Sequence, residues 1–186
     1  MNYDRHLFIA IEGVDGVGKT TCAKMLAKKL TARYYKTPSG IFEKVRIKID
    51  TLGDYQLRFF FYLTSLFYAA SEIKELLSGQ SVVCDRYVYS TIAYHKTLGI
   101  DLSYIDFGKL PLLLPDFAIY LWANEKTCIQ RILGRDSYSS DESLEKNREL
   151  QQRIHQEFLN LPIIFIDTSS LSPKEVCEKI LEVIIH

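Results

Sequence analysis

With 186 residues the chain is long enough to bury one substantial core and too short for two comfortable domains. Its 23 Lys and Arg balance 23 Asp and Glu, which excludes the overall basic field that would call for nucleic acid as a partner and confines any cationic function to a local cluster. Cys22, Cys84, Cys128 and Cys177 are widely spaced with no C-x-x-C pair, so neither a zinc knuckle nor a redox motif is expected; they read as buried or incidental thiols of a reducing compartment.

The opening MNYDRH lacks a signal-peptide pattern. The most lipid-like run, Phe59 to Ala70, is too short to span a bilayer and is interrupted by Thr64 and Ser65. A soluble, cytoplasmic protein with no membrane partner is expected. The first element is the apolar run Leu7 to Ile11, which suits a buried strand. It breaks into glycines, and Gly13, Gly18, Lys19 and Thr20 complete G-x-x-x-x-G-K-[ST], a phosphate-binding loop leading into a helix. A loop curling around phosphate needs inward-pointing N–H groups with no side chains in the way, and Gly13, Gly16 and Gly18 supply that freedom. Lys19 reaches the β and γ phosphates, the helix dipole points at the same anion, and Thr20 offers its hydroxyl to Mg²⁺. A chance glycine-rich turn is the bland alternative; a strand before it and a helix after it argue against that.

Helix one is expected over Lys19 to Ala32, with Cys22, Met25, Leu26 and Leu30 on one face. A strand over Arg33 to Lys36 ends in the turn Thr37-Pro38-Ser39-Gly40, which is either a second binding edge or an ordinary exposed turn. Phe42 to Ile49 and Tyr55 to Leu77 read as helices. The second holds more aromatics than one core stripe needs, so either all pack inward or one ring stacks on a planar ligand. Ser81 to Cys84 is a strand ending at Asp85-Arg86-Tyr87, where a carboxylate can hold metal-bound water and a guanidinium can grip phosphate; the alternative is a surface ion pair closing the strand. Val88 to Leu98 is a helix carrying Ser90, Tyr94 and His95, the last more often structural than catalytic. A strand at Phe117 to Trp122 precedes a helix capped by Asn124 and running to about Leu133. The polar stretch GRDSYSSDES is either a solvated loop or a flap that brings Arg131, Arg135 or Arg148 onto phosphates. Ile163 to Asp167 is the fifth strand, and Ser172-Pro173-Lys174-Glu175 is a capping box opening the last helix. Five short strands alternating with helices predict a three-layer α/β P-loop NTPase fold, a five-stranded parallel sheet flanked by helices. One domain is expected over residues 1–186, with a mobile lid around 134–143.

The order of these pieces resembles the thymidylate (dTMP) kinase family over nearly the whole chain. The carrying segments are FIAIEGVDGVGKTT, IKELLSGQSVVCDRYVYSTIAYH, LPDFAIYLWAN, the flap and PIIFIDTSSLSPKEVCEKILEVI. Members transfer the γ-phosphoryl of ATP to the 5′-phosphate of a deoxynucleotide, use Mg²⁺ and are commonly homodimers, so ATP and a deoxynucleoside monophosphate are the implied partners. The resemblance assigns ATP binding to Gly13, Gly16, Val17, Gly18, Lys19, Thr20 and Thr21, with Asp167 in the adenine-side loop. It gives Mg²⁺ to Thr20 and Asp85, and catalysis to Lys19, Asp85, Arg86 and Arg135. Asp15 matches the residue reaching the acceptor's 3′-hydroxyl, Phe61 the ring stacked on the base, and Tyr94 the ring crowding the sugar's 2′ position. Arg86, Lys36, Ser65 and Ser90 complete the implied acceptor site. Several positions depart from the family: Ser65 and Lys36 stand where arginines are usual, and Gly16 stands where one subgroup has a catalytic arginine. The lid is thus expected to supply that arginine through Arg135, although Ser137 also replaces an arginine there. The readings kept alongside dTMP phosphorylation are a kinase of another deoxynucleoside monophosphate or of a nucleoside, and an ATP-binding module without catalysis.

Overall fold

At the centre lies β1 (Phe8–Glu12), five consecutive residues all buried, as a strand covered on both faces must be. It pairs in parallel with β3 (Val82–Asp85) on one side and β4 (Phe117–Trp122) on the other. Outside these run β2 (Arg33–Lys36) and β5 (Ile164–Asp167), giving the order β2-β3-β1-β4-β5. The structure, a computed structural model, describes residues 5–133 and 148–185, and the expected three-layer P-loop arrangement is what it contains. The helices are α1 (Lys19–Lys29), α2 (Gly40–Asp50), α3 (Tyr55–Leu76), α4 (Val88–Thr97), α5 (Glu125–Leu133), α6 (Arg148–Leu159) and α7 (Pro173–Ile185).

Side-chain alternation along β1 sorts the layers. Ile9 and Ile11 share a core with Cys22 and Leu26 of α1 and with Val176 and Ile180 of α7. Phe8 and Ala10 point the other way, into a core with Phe59, Leu66 and Ile73 of α3 and Ile92 of α4. Each Val, Leu, Ile or Phe among them contributes about 1.5–3 kcal/mol by leaving water, which fixes β1 and therefore the loop that follows it.

Element ends differ from the expectation where local geometry intervenes. α1 stops at Lys29 rather than Ala32, because Thr31 turns to φ 51 and the Ala32 amide donates back to Ala27 O across 2.8 Å, closing a Schellman-type cap. β3 begins one residue later than expected and takes in Asp85, since the Ser81 hydroxyl accepts from the Leu7 amide at 2.9 Å. α2 starts at Gly40, two residues early, after a cis Thr37–Pro38 peptide. The aromatic helix divides its rings: Phe59 is buried, Phe61 and Tyr62 are half-buried, and Phe60 is exposed. Asn124 caps α5 by accepting from Thr127 N, and Ser172 and Glu175 exchange reciprocal bonds at the start of α7. All four cysteines are buried free thiols. Among the described residues no helix is long and apolar enough to cross a membrane.

Candidate active site

All five strands end on one side of the sheet, where Asp15, Lys19, Thr20, Asp85, Arg86 and Tyr94 are brought together, while Phe61, Ser65 and Asp167 make their contacts apart from that cluster. Residues 13–18 join β1 to α1. A Cβ on Gly13, at φ 139, would lie 2.4 Å from Leu121 O, and one on Gly16, at φ 86, would lie 2.7 Å from Cys128 O, so the loop closes only with glycine at both positions. Lys19, buried at the head of α1, donates to Val14 O at 2.6 Å and reaches Asp15 Oδ1 at 3.3 Å. No acidic residue occupies the first turn of α1, leaving its dipole free to favour an anion. Thr20 donates its hydroxyl to Asp85 Oδ2 across 2.5 Å, while Thr21 is exposed. The Tyr34 hydroxyl stands 3.4 Å from the same oxygen, and burial together with the Asp85 charge pushes its phenol up.

Arg86 follows β3 with φ 66, and this turn swings its side chain back over the loop. Nη1 donates to Gly13 O at 3.0 Å and to Tyr94 Oη at 3.2 Å, and Nη2 meets Asp15 Oδ1 at 2.6 Å. The guanidinium also sits 5.2 Å from the Tyr94 ring centroid. Lys36 is exposed at the end of β2, in register with Asp85. Phe61 faces Phe42 at 5.6 Å, bringing α2 against α3. Ser65 is buried and donates to Tyr62 O at 2.7 Å; Ser90 is buried and donates to Glu12. Asp167 accepts from the Ser169 amide and hydroxyl at 2.8 and 2.6 Å, shaping the loop after β5.

Three residues that the sequence reading left without this role hold the site together. Glu12, fully buried, accepts from the amides of Tyr87, Tyr89 and Ser90 and from the Ser90 hydroxyl. Burial raises its carboxyl pKa, and the Ser90 hydroxyl, the Tyr87 and Ser90 amides and the Arg86 charge oppose that rise. Arg131, one of three arginines that a flap could bring onto phosphates, donates to Val17 O, Thr168 Oγ1, Thr168 O and Leu171 O, tying the phosphate loop to the loop after β5. Buried Thr168 adds its hydroxyl, 3.0 Å from Trp122 O and 3.2 Å from Val17 O. The only local signal for Glu12 was a charge ending an apolar strand. Arg135 and the lid expected around 134–143 lie outside the described residues, as does the Arg148 side chain.

Chemically, the loop amides and Lys19 suit a phosphate chain, Arg86 offers a planar fork to a second phosphate, and Thr20 with Asp85 offers hard oxygen donors. Among the described residues no group of three His, Cys, Asp or Glu side chains forms a self-sufficient metal cage. A family model described as thymidylate kinase matches residues 11–180. A probable thymidylate kinase of Methanocaldococcus jannaschii is 32% identical over 180 residues, covering 95% of this chain and 94% of its own. That of Pyrococcus abyssi is 30% identical over 203 residues, covering 98% and 97%. Among solved structures, thymidylate kinase from Candida albicans matches with a TM-score of 0.78 at 22% identity, covering 97% of this chain and 91% of that one. Deoxyadenosine kinase from M. mycoides matches with a TM-score of 0.70 at 24% identity, covering 96% and 98%. The two structural likenesses concern the fold.

Proposed function

The chain belongs to the thymidylate kinase family, and from that premise we propose that it transfers the γ-phosphoryl group of ATP to the 5′-phosphate of dTMP, giving dTDP and ADP. The observation that carries this reading is the Asp15 carboxylate, which lies 3.3 Å from Lys19 Nζ and 2.6 Å from Arg86 Nη2. A donor-phosphate lysine and an acceptor-phosphate arginine thus share one anion, and two phosphate groups bound by them would face each other. An oxygen of the acceptor phosphate attacks the γ-phosphorus as the bond to the β–γ bridging oxygen breaks, and ADP departs with that oxygen's charge. Lys19 and the loop amides hold the donor chain in line and offset its charge; Arg86 and Lys36 do the same for the acceptor. Asp15 would release to the sugar hydroxyl, Phe61 would stack on the base, Ser90 would steady the turn and Tyr94 would exclude a 2′-hydroxyl.

Thr20 and Asp85 would hold a Mg²⁺ ion, whose charge would offset that of the phosphates. Thr20 and Asp85 fit that ion, being a hydroxyl and a carboxylate already 2.5 Å apart, with phosphate and water completing the shell. Within the unassigned lid, Arg135 is the proposed catalytic cation. A homodimer is the proposed assembly, supported by apolar side chains that α2 and α3 leave outside, among them Ile41, Ile47 and Phe60.

One observation favours a second acceptor. The Ser65 proton is committed to Tyr62 O, so this position supplies no donor fork to a base, and another deoxynucleoside monophosphate, or a nucleoside, becomes the competing substrate. The test is ADP release from Mg²⁺-ATP across deoxynucleoside monophosphates, ribonucleoside monophosphates and nucleosides. Highest kcat/KM with dTMP is expected. A preference elsewhere would reassign the acceptor, and ATP binding without product from any acceptor would leave a nucleotide-binding module.

A further inference from the structure

Glu12 ends β1 and stands directly before the phosphate loop, yet its carboxylate is spent on a different segment. Oε1 accepts from Tyr87 N at 3.1 Å and Tyr89 N at 3.2 Å; Oε2 accepts from Ser90 N at 3.2 Å and from the Ser90 hydroxyl. These donors form the first turn of α4, a helix with no side-chain cap of its own and no acidic residue in that turn. Glu12 therefore caps α4 from 75 to 78 residues away. All four contacts point donors at the carboxylate, so both its oxygens serve as acceptors.

The segment so held begins immediately after Arg86. Arg86 adopts φ 66, a conformation that costs a non-glycine residue free energy unless its surroundings impose it. Its amide is fixed by Ile11 O at 2.9 Å, the residue before Glu12, and its side chain returns to Gly13 O, the residue after Glu12. Three consecutive residues, the last two of β1 and the first of the loop, thus grip the Arg86 turn at its amide, its C-terminal flank and its guanidinium.

We propose that Glu12 is a positioning residue that holds the Arg86–Ser90 turn against the phosphate loop and thereby sets where the Arg86 guanidinium meets the acceptor phosphate. This rests on the kinase reading for its catalytic consequence and on the described hydrogen bonds for its structural one. Glu12→Gln keeps the shape but places an NH₂ donor against backbone N–H donors on one side, whereas Glu12→Asp keeps the charge and draws both oxygens back.

The decisive experiment is a double-mutant cycle with Arg86→Ala, read as kcat/KM for the acceptor, alongside hydrogen exchange of the Tyr87, Tyr89 and Ser90 amides. Glu12→Gln is expected to lower acceptor kcat/KM on the order of 10²-fold, with the ATP dissociation constant changed by less than about threefold. In the Arg86→Ala background the same change should cost about twofold or less, because the residue through which Glu12 acts is gone. Equal costs in both backgrounds would overturn the proposal. If Glu12→Gln fails to fold, Glu12→Asp carries the same cycle with a smaller effect. Should the wild-type protein transfer no phosphoryl group, the kinase reading fails by itself; faster exchange at the three amides would still support the clamp, and unchanged exchange would refute it.

Discussion

The Thr20 hydroxyl donates to Asp85 Oδ2 across 2.5 Å, so the first turn of α1 and the last residue of β3 meet at one pair of oxygens. Two hard donors from separate elements at this spacing are suited to a divalent ion shared with a phosphate chain. Asp85→Asn is expected to raise the free Mg²⁺ needed for half-maximal ADP release about tenfold, with ATP still bound. Titrating Mg²⁺ at fixed ATP for wild type and variant measures this; identical Mg²⁺ curves would remove Asp85 from the metal's surroundings.

Lys19 donates to a carbonyl of the phosphate loop itself, Val14 O, at 2.6 Å. On the proposed reading Lys19→Ala should lower kcat by a factor on the order of 10³, because a buried ammonium that would offset the charge of the transferring phosphate is lost. Its circular dichroism spectrum should match the wild type. Full turnover in this variant would sink the kinase reading.

Gly13 has a Leu121 carbonyl oxygen 2.4 Å from where a Cβ would sit, and its φ of 139 is one that L side chains rarely adopt. Gly13→Ala is expected to destabilise the fold by at least about 2 kcal/mol, since backbone strain alone costs about 1–3 kcal/mol. Gly79 has nothing within 4 Å of its added Cβ, so Gly79→Ala should change stability by less than about 1 kcal/mol. Urea unfolding of the two variants side by side decides between strain at a particular place and a general intolerance of alanine.

His95 donates Nδ1–H to Thr91 O at 2.7 Å and packs edge-on against Phe59, with Tyr62 beside it. Burial lowers its pKa to about 4, the Thr91 carbonyl opposing and the Arg58 charge adding to the shift. In the unfolded chain the group titrates near its ordinary 6.5. The unfolded state therefore binds more protons between pH 6.5 and 4, so this contribution to stability is fully present above 6.5 and is lost as pH falls toward 4. The loss is about 3 kcal/mol over that window at 1.36 kcal/mol per pKa unit. His95→Gln should show a correspondingly shallower fall in unfolding free energy from pH 7 to pH 4. Parallel slopes would place the proton elsewhere.

Four of the strands, the phosphate loop and the helix caps were legible because each is written in contiguous residues: apolar runs of four to six, a glycine spacing, and Ser172 with Glu175 three positions apart; β2, reading Arg-Tyr-Tyr-Lys, was legible from its aromatics and the turn after it. Asp85 and Arg86 were legible as a carboxylate and a guanidinium at a strand end for the same reason. What escaped was written across distance. Glu12 acts on amides whose own side chains say nothing of it, and Arg131 takes carbonyl acceptors from two loops, so its charge alone suggested phosphate. The end of α1 escaped for a different reason: threonine at φ 51 is an improbable C-terminal stop, made tolerable by the bonds that Thr31 and Ala32 return to the last turn.

The outer strands β2 and β5 are only four residues long, and among the described residues each is an edge of the sheet. β2 opens with exposed Arg33 and closes with exposed Lys36, so another chain seeking to extend the sheet would meet a cation at either end. Lys36, proposed above for the acceptor side, is therefore also placed to guard the sheet edge. Replacing it with an apolar residue would trade away a guard against intermolecular strand pairing, whatever it does to turnover.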